Sequence, residues 1–143
     1  MDKKYFSKLI ARDQQGLSLI SAYCSESDVR ISNIKYLKQN KIFLISITRF
    51  KKETEKKDKL INSILKFDYI DEVKAKNIDQ KNHEKTLKLL TIDCLKKNDR
   101  FEIILAFSEK NTYISLSTEV IEINLEDQKH KWLKQLIVTI KIT

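Results

Sequence analysis

Only one glycine, Gly16, and no proline occur in the 143 residues. Glycine is the ordinary occupant of positive φ, and proline presets the first corner of many turns. A chain that lacks both must turn on other residues, of which asparagine tolerates left-handed backbone best. Turns are accordingly read at Gln39-Asn40, Lys97-Asn98-Asp99 and Lys110-Asn111. The same shortage removes several chemistries. Phosphate-cradling loops need successive glycines so that backbone amides can approach the anion, and one glycine supplies neither a P-loop nor a dinucleotide fingerprint. A G-x-S-x-G nucleophile elbow is absent for the same reason.

Between the turns the dominant period is two. "KIFLISITRF" puts Phe43, Ile45, Ile47 and Arg49 on one face, and Phe101, Ile103, Leu105 and Phe107 alternate cleanly as a core face. "VRISNIKYL" alternates, slips at Ser32-Asn33 and resumes, which predicts a bulge or tight turn. "LINSILKFDYIDEVKAKNI" reads as one long bent strand or two short ones. Further strands are read at 86–95, 100–108 and 112–125, the last slipping phase at Thr118-Glu119 as a candidate bulge. One segment departs from this pattern. After a short strand at 8–13, Leu17, Ile20, Ser21 and Cys24 share a helical face that Leu19 and Tyr23 widen, and Asp13 is positioned as N-cap. Residues 51–59, "KKETEKKDK", carry no apolar member and read as a solvated loop. Residues 127–136 have room for a helical turn or two around Trp132, Leu133 and Leu136, and "LIVTIKI" is a strand or an ordered tail.

The fold class that follows is α+β. It is mostly antiparallel β, about seven strands in a curved or barrel-like sheet, with one early amphipathic helix. Residues 1–143 read as a single domain, with 41% hydrophobic residues to fill its core. No apolar run approaches the ~20 residues that span a bilayer, and "MDKKYFSKLI" has no adequate h-region, so no membrane insertion and a cytoplasmic location are expected. Cys24 and Cys94 stand in apolar phases far apart, as buried unbonded thiols.

The net charge of +8 has two readings. Abundant Lys, Ile and Asn with scarce Gly and Pro indicate AT-rich codons, so the lysine excess is mutational drift on a tolerant surface. The other reading is a basic face for nucleic acid. Charge is uneven, with nine basic against four acidic side chains over 1–50, thirteen against ten over 51–99, and six against six from 100. A basic face therefore belongs to residues 30–76 and would gather Arg30, Lys35, Arg49, Lys74 and Lys76.

Candidate binding residues are few. Arg49 and Asp68 interrupt apolar runs and are expected to pair with each other, since charge near a core is usually compensated. Lys74 and Lys76 share a strand face. His83 and His130 lie in polar surroundings, and apart from Glu126, four residues before His130, neither has a second ligand at helical spacing, so no metal, no cofactor and no catalytic residue is expected. With no recognisable catalytic chemistry in the sequence, the expected function is a non-catalytic module that presents a groove or sheet edge to a protein or peptide partner. The alternative is a nucleic-acid-associated protein.

Several segments in order, "LIARD", "LSLISAY", "DVRISNIKYL", "ITRF", "FDYIDEVKAKNID", "LKLLTI" and "IILAF" followed by "ISLSTEVIEINLED", with Trp132 beyond, give the chain a family likeness over about residues 9–132. It resembles the bacterial family catalogued as domain of unknown function 2948, found chiefly in alphaproteobacteria. The resemblance implies a soluble single-domain protein and supplies no activity, substrate or site residue. The family carries glycines in the last hairpin, where this chain has Ser108-Glu109-Lys110-Asn111, and near Asn33 and Asn77.

Overall fold

The computed structural model describes residues 8–51 and 60–128. The expected loop from 52, the helical turn around Trp132, His130 and the tail strand lie outside the described residues. Within them, strand β1 (Lys8–Ala11) leads into helix α1 (Gln14–Cys24). Asp13 caps the helix by accepting from the Gly16 amide at 2.7 Å. Leu17, Ile20 and Cys24 are buried beneath it, whereas Leu19 is exposed and does not widen the buried face. Gly16 makes no turn. A Cβ there would stand 3.1 Å from both Cα and Cβ of Ala11, so the missing side chain lets the helix lie against β1.

Strands β2 (Ser27–Arg30) and β3 (Ile34–Leu37) flank a 3₁₀ turn at Ile31–Asn33, where the phase slip falls. The next turn, Lys38–Asn40, places Lys41 rather than Asn40 at positive φ, 58°. Then come β4 (Ile42–Phe50), β5 (Leu60–Phe67), β6 (Ile70–Lys76), β7 (Thr86–Lys97), β8 (Arg100–Phe107), β9 (Tyr113–Thr118) and β10 (Ile123–Asp127). Asn77, Asn98 and Asn111 all take positive φ, so asparagine does carry turns that glycine would ordinarily carry.

All strand pairs are antiparallel. They form one ten-stranded sheet in the order β1-β10-β5-β4-β2-β7-β8-β9-β6, with β3 paired to β4 off this path. The protein is α+β, with ten strands instead of seven and an open sheet instead of a closed barrel. Two breaks account for part of the difference. Residues 60–76 form two strands that do not pair with each other, since β5 joins β4 and β10 while β6 joins β9. Residues 113–127 likewise split, and the slip at Thr118 is a departure from one part of the sheet to another. The core lies between the inward faces and α1, with Phe43, Ile45, Leu65, Leu105, Leu116 and Ile123 almost fully enclosed. Phe101 is only half-buried at its margin.

Candidate functional site

The strand order ends at β1 and β6, and β3 branches from β4 beside that path. Among the described residues β3 pairs only with β4, and β6 only with β9. A groove of about 230 Å³ lies between them. Ile34 and Tyr36 of β3 form one wall, Val73 and Ala75 of β6 the other, and Phe43 and Ile114 are also in contact with it. Local hydrogen bonds close both ends. Tyr36 Oη donates to the Ile70 carbonyl at 2.7 Å, and the Ile70 amide donates to the Lys41 carbonyl at 2.8 Å. At the other end the Ile31 and Ser32 amides donate to the carbonyls of Lys85 and His83. Burial, with the nearby Asp71 carboxylate second, pushes the Tyr36 phenol up from its ordinary range. The lining contains Lys35 and His83 but no carboxylate.

The sequence-derived site residues are not brought together. Arg49 is wholly buried and does not meet Asp68. Its Nε donates to Ser63 Oγ at 3.0 Å and its Nη2 to Asp127 Oδ1 at 3.1 Å. Lys51, 1% exposed, donates to Asp127 Oδ2 at 2.9 Å, and Ser63 Oγ donates to Asp127 Oδ1 at 2.6 Å. The Arg49 guanidinium also stands 5.8 Å from the Tyr23 ring centroid. The carboxylate partner comes from β10 because β10 and β4 flank β5, whose Ser63 lies opposite Asp127. Asp68 pairs with Lys66 at 3.6 Å. Lys51 thus belongs to the interior and not to the solvated loop.

Lys74 and Lys76 are exposed, on the opposite face of β6 from Val73 and Ala75. Lys74 lines an outer hollow with Glu72, Lys97, Arg100 and Glu102, and Lys76 stands 6.0 Å from the Tyr113 ring. Arg49 contributes nothing to an outer basic strip, and carboxylates stand beside Lys74. The Ser115 hydroxyl, then Lys97, holds Glu102 below the usual carboxylate range. Arg100, then Lys41, does the same for Asp71.

Cys24 is buried, Cys94 only half so, and both are thiols. Desolvation pushes the Cys94 thiol up, against a smaller opposing contact from Gln14. No group of three or more metal-ligating side chains occurs among the described residues. No helix among them is long and apolar enough to cross a membrane.

A family model described as "Protein of unknown function (DUF2948)" matches residues 7–137. The chain belongs to that family. No curated protein and no solved structure matches it. The DUF2948 match runs through every described strand, so the groove and the buried Arg49 cluster both lie on matched residues. Where the family was expected to carry glycine, Asn77 and Asn111 have the positive φ that glycine would adopt, and Asn33 sits in the 3₁₀ turn.

Proposed function

We propose that this DUF2948 chain is a single-domain, non-catalytic interaction module that takes an extended peptide segment of a protein partner in the β3–β6 groove. One observation carries the reading: two strands flank an apolar-walled groove, and no ladder joins them among the described residues. An edge strand offers its unpaired N–H and C=O groups to an incoming strand. Main-chain hydrogen bonds then give affinity, and pockets for alternate side chains give selectivity. An apolar side chain of the peptide would rest between Val73, Ala75 and Phe43. A lining that holds Lys35 and no carboxylate favours a peptide with acidic residues beside that side chain.

The test is selection from a displayed library of random twelve-residue peptides, followed by titration of an enriched peptide. Backbone amide shifts should concentrate at residues 34–36 and 73–76. Ala75→Trp, which fills the groove from an exposed position, should abolish binding and leave the melting temperature unchanged. Binding that survives Ala75→Trp, or shifts confined to another face, would defeat the proposal. A mixed-sequence oligonucleotide should bind only weakly, and salt should release it.

A further inference from the structure

A second surface lies beyond the end of the groove that Ile70 closes with Tyr36 and Lys41. The link between β5 and β6 and the link between β9 and β10 meet there and expose Tyr69 and Val120, at 58% and 47%. Around them a hollow of about 630 Å³ opens. Tyr69 has φ 62°, which is strained for a bulky residue. The buried Thr118 hydroxyl ties the two links together: it accepts from the Val120 amide at 3.3 Å and has one hydrogen to donate, with the Tyr69 carbonyl at 2.8 Å and the Val120 carbonyl at 2.7 Å as the acceptors within reach. The two apolar side chains are therefore presented to solvent from links that hydrogen bonds hold.

The border of this patch is charged and balanced. Arg12 pairs with Glu122, Lys41 with Asp71, and Arg100 with both Asp71 and Glu119, at 2.6–3.1 Å. Three cations meet three carboxylates. We propose that the Tyr69–Val120 hollow is the surface through which two copies of this chain pair about a two-fold axis. A chain of net charge +8 repels its own copy wherever the facing surfaces are basic. Here each cation is already paired with a carboxylate of its own chain and the local charge sums to zero, so two copies can meet at this patch about a two-fold axis without net repulsion. An acidic heterologous partner would gain nothing from such a rim. The arrangement, an exposed aromatic and an aliphatic anchor ringed by ion pairs, is that of an interface hot spot.

Sedimentation velocity on the full chain, from micromolar to roughly millimolar concentration, reads the outcome directly. A concentration-dependent monomer–dimer equilibrium is expected. Tyr69→Gly should weaken it about tenfold or more, as loss of a hot-spot side chain does. That variant relieves the positive φ, so its melting temperature should hold or rise, which separates lost pairing from lost folding. Val120→Asp should also dissociate the pair. A monomer throughout the range, or a dimer that Tyr69→Gly leaves intact, would overturn the proposal. Ala75→Trp should leave the dimer unchanged, so this surface and the groove are tested separately.

Discussion

Asp127 accepts from Arg49, Lys51 and Ser63 in the protein interior. Removing one partner of a buried ion cluster leaves uncompensated charge, so Asp127→Ala should cost about 3–5 kcal/mol, read as a lowered urea midpoint. A residue-scale reading of the sequence contains most of this cluster. The alternation that turns Arg49 inward continues to Lys51, and Ile121, Ile123 and Leu125 lead in phase to Asp127. Ser63 likewise follows Ile61 and precedes Leu65. What the pattern lacks is the pairing, because nothing local says that β10 lies beside β5. Hence Asp68, the nearer acid in sequence, was expected at Arg49. The cysteines follow the same logic of environment. Cys94, its thiol pushed up by desolvation, should alkylate more slowly than a free cysteine at pH 8, and Cys24 only when the protein unfolds. Mass spectrometry of native and urea-treated protein measures both.

At the scale of elements, the scarcity of glycine resolves into two different physical demands. Turns at Asn98 and Asn111 need positive φ, and asparagine meets it at some cost. Asn98→Gly should be neutral or stabilising, whereas Asn98→Ala should lose roughly 1 kcal/mol of stability. Gly16 answers closeness and not rotation. Alanine there would gain about 1 kcal/mol of helix propensity, yet its Cβ would press on the Ala11 backbone at 3.1 Å. Gly16→Ala should therefore lower the melting temperature, in contrast to glycine replacements in open helices. The helix, its cap and the early strands were legible because each rests on neighbours in sequence. The groove was not. Its walls come from β3 and β6, about forty residues apart, and each alone reads as an ordinary amphipathic strand. The phase break at Thr118 was visible, but its meaning depended on where the chain went next.

At the scale of the whole molecule, Asp71 and Glu102 titrate below their ordinary range in the folded state. Both are more basic once unfolded, so their contribution is complete above the usual carboxylate range. It is lost as pH falls through the lower folded values, below about pH 4. Stability should drop across that interval, modestly because both groups are partly exposed, and high salt should blunt the drop. Thermal melts from pH 7 to 3 at two salt concentrations measure it. The pairing of β1 with β10 also bears on how the protein is made. Lys8–Ala11 is the earliest described strand to leave the ribosome, and its described partner, Ile123–Asp127, is the latest. The sheet therefore completes only after residue 127 has been synthesised, and until then β1 waits with an open edge. Such long-range closure is slow and leaves the nascent chain open to capture by its neighbours.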